Sequence, residues 1–71
     1  MKMSKANKIK FGKKLKELRE GACMTQQQLA FDAGLAVPTI CRIEKGSGAS
    51  LTTIGLLADA LGVKPEILRG E

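Results

Sequence analysis

The sequence predicts an all-α domain of five helices, and three observations lead there. Apolar residues recur three and four positions apart from Phe11 onward. The runs are opened by capping residues or proline and closed by glycine. No stretch alternates apolar and polar residues in the manner of a strand. At 71 residues the chain suffices for one compact domain and is too short for a binding domain plus a separate catalytic one. We divide it into a basic N-terminal arm, 1–7, and a helical domain, 8–71.

The first helix is expected over about 8–22, with Phe11, Leu15, Leu18 and Ala22 on one face and Asn7 as its N-cap. Lysines in its first turn oppose the helix dipole, so their charge serves something other than the helix. Thr25 caps a second helix, Gln26 to Ala33, whose inward residues are Leu29, Ala30 and Ala33, and Gly34 ends it. Pro38 belongs to the first turn of a third helix, 37–45, because its missing N–H would be unpaired there in any case. Gly46 closes that helix and opens the loop Gly46–Ser50. Ser50 then caps a fourth helix with an expected core face of Leu51, Ile54, Leu57, Ala58 and Leu61, ended by Gly62. Gly55 inside it costs about 1 kcal/mol relative to alanine, which points to a close backbone contact. A last short helix spans about 65–69.

Composition excludes several classes. There is no histidine, and the two cysteines, Cys23 and Cys41, stand far apart, so neither a four-ligand zinc site nor a disulfide framework is expected. No cofactor is expected either. No apolar run approaches the roughly 20 residues needed to span a bilayer, so we expect a soluble, cytoplasmic protein with no membrane partner. An enzyme is not expected: no metal cluster and no phosphate-cradling loop is present, and the stretch from Gly46 to Ser50 lacks the lysine such a loop needs. Charge is uneven. Residues 1–20 carry eight basic against two acidic side chains, a net of +6, and the other 51 residues carry −1. Such a basic end fits a polyanion, most often nucleic acid.

Helices two and three are joined by so few residues that they must cross sharply. Counting Gln26 as the first position, Ala30 is fifth, Gly34 ninth, Ile40 fifteenth and Ile43 eighteenth, the spacing of a helix-turn-helix. A side chain larger than Ala30 would hold the helices apart, and Gly34 accepts the positive φ of the turn. Ile40 and Ile43 bury the back of the third helix, and Glu44 turns inward with them. Val37, Pro38, Cys41, Arg42 and Lys45 are left on its outer face.

Residues from Phe11 to about Gly70 resemble the phage-repressor-like (Cro/CI-type, XRE-like) helix-turn-helix family through FGKKLKELRE, TQQQLAFDAGL, TICRIEKG, SLTTIGLLADALGV and KPEILRGE. The resemblance implies a five-helix, lambda-repressor-like bundle that binds double-stranded DNA and regulates transcription, with helix 37–45 in the major groove. The base-contact candidates are then Ala36, Val37, Pro38, Thr39, Cys41 and Arg42. Arg42 is suited to a bidentate contact with guanine, and the apolar start of the helix to thymine methyl groups. By similarity, Thr25, Gln26, Lys45 and Ser47 lie near phosphates, and Arg19 and Glu44 form a structural pair between the first and third helices. Cys23 stands where the family often has glycine at the end of helix one, which implies either left-handed strain at that residue or a different turn.

The leading expectation is a repressor acting as a homodimer on two half-sites about one helical turn apart. Its candidate interface is the C-terminal portion around Val63, Ile67 and Leu68, side chains that would serve equally well as core. The alternative is an antitoxin-like or other protein-binding module that uses the helix-turn-helix for autoregulation or as a scaffold, an assignment that the apolar start of helix three would suit.

Overall fold

The computed structural model describes residues 3–70. Its helices are α1 (Lys5–Gly21), α2 (Gln26–Ala33), α3 (Val37–Arg42), α4 (Leu51–Leu61) and α5 (Pro65–Arg69). No strand occurs among the described residues. Directly after Arg42 the third helix widens into a π-helical turn, Ile43–Ser47, inside which Gly46 leaves helical geometry at φ 107°. The helix expected over 37–45 is therefore continuous in path, and its last turn is wider than an α-helix. Lys8, Ile9 and Gly12 of α1 all pack against this segment and the glycine that follows it.

Helix α1 begins three residues earlier than expected. Ser4, not Asn7, is its N-cap: the Ser4 hydroxyl accepts from the Asn7 amide at 3.1 Å, and the Lys8 amide donates to the Ser4 carbonyl at 2.8 Å. Lys5 to Asn7, assigned to the basic arm, thus form the first helical turn. Met1 and Lys2 of that arm, and Glu71, lie outside the described residues. At the other end α1 stops at Gly21, and Ala22 is exposed rather than part of the apolar face.

The core draws on all five helices, with Phe11, Leu15, Leu29, Ile40, Leu57 and Leu68 fully buried. Each such side chain contributes about 1.5–3 kcal/mol of hydrophobic stabilisation relative to exposure. Burial of Leu29, Ala30, Ala33, Ile40 and Ile43 matches the expected inner face of the second and third helices. In α4 the expected face holds for Ile54, Leu57 and Ala58, and Leu61 is half-buried. Leu51 differs: it is 53% exposed, because it occupies the first position after the Ser50 cap, where the helix has not yet come under its neighbours. A side chain at Gly55 would meet nothing within 4 Å, so the close contact expected there is not made among the described residues. The C-terminal trio also divides, since Leu68 is core, Val63 half-buried and Ile67 46% exposed.

Candidate nucleic-acid interface

The turn between α2 and α3 is built by local hydrogen bonds that leave little freedom. Gly34 takes φ 71°, the Leu35 amide donates to the Ala30 carbonyl at 2.8 Å, and the Gly34 amide donates to Phe31 at 3.2 Å. These bonds satisfy carbonyls that a helix end otherwise leaves unpaired. Ala30 is 2% exposed, as its place between crossing helices demands. Helix α2 starts on a reciprocal cap: Thr25 Oγ1 accepts from the Gln28 amide at 3.0 Å, and Gln28 Oε1 accepts from the Thr25 amide at 2.9 Å.

With Ile40 and Ile43 turned into the core, α3 and the π-helical turn that continues it present Pro38, Arg42 and Lys45 to solvent. These are spaced i, i+4 and i+7 and so form one stripe. Ala36 is exposed at the cap, and Val37, Thr39 and Cys41 are half-buried at the flanks. Thr39 leans toward α4, where it borders a small cleft with Arg42, Ser47 and Thr53. The six candidate base contacts therefore divide: Ala36, Pro38 and Arg42 are open, and the other three are reached only from the side.

Behind the stripe, the end of the recognition segment is tied to both preceding helices. Arg19 donates from Nε to Glu44 Oε2 at 2.6 Å and from Nη2 to Oε1 at 3.1 Å. The two side chains are only 10% and 6% exposed. Arg19 also donates from Nη1 to the Met24 carbonyl at 2.8 Å, fixing the α1–α2 turn. The hydrogen bond to Glu44 raises the Arg19 pKa, against the opposing effect of burial. Gln26 Nε2 donates to the same Glu44 Oε1 at 3.1 Å, so one carboxylate holds α1 and the start of α2 to the recognition segment.

Among the phosphate candidates, Thr25 and Lys45 are exposed, and Thr25 keeps its hydroxyl proton free to donate. Gln26 has committed one donor to Glu44. Ser47 gives its hydroxyl proton to the Gly48 carbonyl at 3.1 Å, so a phosphate contact requires that bond to exchange. Cys23 adopts φ 57°, the left-handed alternative implied for it. Cys41 is a free, half-buried thiol.

Three features escaped the sequence reading. One is the Gln26 bond to Glu44. Another is the approach of α1 to the recognition segment at Gly12, where an added Cβ would lie 3.0 Å from the Glu44 carbonyl oxygen and nearer still to that of Ile43. A glycine inside an otherwise lysine-rich helix was the available signal for it. The third is Phe31, 86% exposed beside an open groove of about 900 Å³ that runs along α2 from Met24 to Val37.

The helix-turn-helix family matches residues 15–68. The chain belongs to that family, in its Cro/CI-type branch. Among solved structures it is similar to the restriction-modification controller protein C.AhdI from Aeromonas hydrophila, with 39% identity and a TM-score of 0.86 over 89% of this chain and 97% of that one. No curated protein matches it by sequence. The all-α, five-helix architecture is the one the resemblance implied. The helix-turn-helix protein is accordingly a DNA-binding transcription regulator whose partner is double-stranded DNA.

Proposed function

We propose that this regulator is a sequence-specific repressor that works in the cytoplasm as a homodimer, laying α3 and its π-helical turn in the major groove of each half-site. The observation that carries this reading is the stripe of Pro38, Arg42 and Lys45, exposed on a helix whose opposite side is fully committed to the core. Arg42 would take a guanine through its fork of donors, Ala36 and Pro38 would pack against thymine methyls, and Lys45 would meet phosphate. Thr25 and Gln26, at the start of α2, would add backbone contacts favoured by the helix dipole.

Binding without catalysis is proposed. The sequence contains no histidine, and no group of three or more potential metal-ligating side chains occurs among the described residues. No helix among them is long and apolar enough to cross a membrane.

Phe31 favours a second reading, in which a protein partner is bound and the helix-turn-helix serves autoregulation or scaffolding, as in an antitoxin. An aromatic side chain 86% exposed beside a groove is the kind of surface that protein partners cover. One experiment separates the two: selection of bound duplexes from a random pool by the purified protein at near-physiological salt, where non-specific phosphate binding is suppressed. Enrichment of an inverted repeat containing a guanine beside thymines is the expected result. Failure to enrich any sequence would overturn the repressor reading in favour of the protein-binding one.

A further inference from the structure

We propose that Lys8, whose side chain lies across Gly48 just past the recognition segment, is a DNA-phosphate contact at the edge of the major groove. It rests on the reading that lays α3 in that groove, and adds a residue of α1 to a surface otherwise drawn from α2 and the recognition segment.

Holding a lysine stem in one place costs rotamer entropy, so most lysines stand in solvent. Lys5, Lys10, Lys13 and Lys16 of α1 do so, whereas Lys8 and Lys14 are half-buried. Lys14 has a reason on its own helix, an ion pair with Glu17 at 3.9 Å. Lys8 has no carboxylate partner among the described residues. It also stands at the N-terminal end of α1, where its amide donates to the Ser4 carbonyl and the helix dipole disfavours positive charge. A pinned cation without a countercharge is unfavourable in the free protein, and an arriving anion offsets that cost. Seven lysines and no acidic residue occupy positions 1–16, a field suited to a polyanion rather than to a single carboxylate.

Gly48 is what pins the stem. A Cβ there would lie 2.7 Å from Lys8 Cγ, 3.1 Å from Cδ and 3.2 Å from Cε, so the chain of methylenes runs lengthwise over the glycine and a side chain would push it away. Helix α1 passes antiparallel to the recognition segment: Gly12 meets Ile43 and Glu44, Ile9 meets Gly46, and Lys8 meets Gly48. The Lys8 ammonium, one bond beyond Cε, comes last in that series, next to the glycine that follows Ser47. Lys45, three residues before Gly48, ends the exposed stripe of the recognition segment. A cation just past the end of a groove-inserted helix meets the sugar-phosphate backbone, which fixes register and carries no base information.

The test measures binding to a duplex recovered by selection, between about 50 and about 200 mM salt, for wild type, Lys8→Met, Lys8→Arg and Lys10→Met. Methionine keeps an apolar stem over Gly48 and removes the charge, and Lys10 lies on the far side of α1, about 200° round the helix. Lys8→Met should lower the slope of log K against log salt by about 0.9 for each copy bound, so that affinity falls about threefold less across this range, with preference among sequences unchanged. Its melting temperature should be no lower than that of wild type, since a charge leaves the positive end of the helix. Lys8→Arg and Lys10→Met should both keep the wild-type slope. An unchanged slope in Lys8→Met overturns the assignment. An equal fall in Lys8→Met and Lys10→Met overturns it too, because the lysines would then act as a diffuse field. If selection enriches no sequence, the reading beneath the contact is overturned, while Lys8 itself is still judged by the slope on a random-sequence duplex.

Discussion

Arg19 and Glu44 are 25 residues apart in sequence, yet Arg19 Nε and Glu44 Oε2 meet at 2.6 Å with both side chains nearly removed from solvent. The carboxylate is fully engaged, accepting twice from Arg19 and once from Gln26. Arg19→Met would leave Glu44 buried without its countercharge and should cost about 3–5 kcal/mol, measured by urea denaturation. Replacing both residues by apolar ones of similar volume should recover much of that loss, because the desolvation of two charges disappears along with their attraction. A double variant no more stable than Arg19→Met would show that the ionic pair itself is required.

The same pair fixes an expectation for pH. The Arg19 pKa is raised, so the stability linked to it is fully present below arginine's unfolded value and is lost only as pH climbs through the folded one. Both values lie far above neutrality. The destabilisation caused by Arg19→Met should therefore be the same at pH 7 as at pH 9, checked by denaturant melts at the two values. A deficit that shrinks between them would place the relevant titration elsewhere.

Gly12 sets the distance between α1 and the recognition segment. Gly12→Ala brings a Cβ against backbone carbonyls of Ile43 and Glu44, which cannot rotate away as a side chain would. The helix-propensity gain of alanine, about 1 kcal/mol, is outweighed by overpacking of about 1–3 kcal/mol plus displacement of the turn that carries Lys45. Lower stability together with weaker DNA binding is expected. A Gly12→Ala protein that melts higher than wild type would mean the helices separate without cost.

Much of this arrangement was legible in the sequence, for reasons that differ by residue. Ala30, Gly34, Ile40 and Ile43 could be placed in advance because a short link between two crossing helices restricts size and φ at fixed spacings, whatever surrounds it. Ser4 and Asn7 are both good N-caps, and local chemistry does not choose between them. Leu51 falls on the apolar face by periodicity, but periodicity does not report how far a neighbouring helix extends. The bond between Gln26 and Glu44 joins residues 18 apart and exists only once three helices have packed. The same holds for Gly12 and Gly55, where the sequence shows a glycine but not whether the space beside it is filled.

Cys23 offers a test of backbone strain free of packing effects, since its side chain is exposed. The Met24 amide closes the end of α1 onto the Arg19 carbonyl at 3.0 Å, and that geometry requires the φ of 57° at Cys23. A left-handed non-glycine residue costs about 1–2 kcal/mol. Cys23→Gly removes this cost, partly offset by about 0.4–1 kcal/mol from the freer unfolded chain. A net gain of about 0.5 kcal/mol, or about 2–4 °C in Tm, is expected. Cys23→Val should lower Tm, because a β-branched side chain fits the left-handed region worse than cysteine does. Equal melting temperatures for the two variants would show that the turn relaxes to accommodate either.

Arg42 and Lys45 share one exposed stripe, and their roles should separate in DNA binding. Arg42 carries a planar fork that matches the two acceptors of guanine, so Arg42→Ala should cost about 1–3 kcal/mol and relax preference at a single base position. Lys45 presents a compact charge at the end of the recognition segment. Lys45→Ala should weaken binding to all sequences alike and reduce the slope of log K against log salt by about 1. Competition titrations with matched and single-mismatch duplexes at two salt concentrations measure both effects. If Arg42→Ala instead lowers the salt slope and leaves base preference intact, Arg42 is a phosphate contact, and discrimination must come from the apolar start of the helix at Ala36 and Pro38.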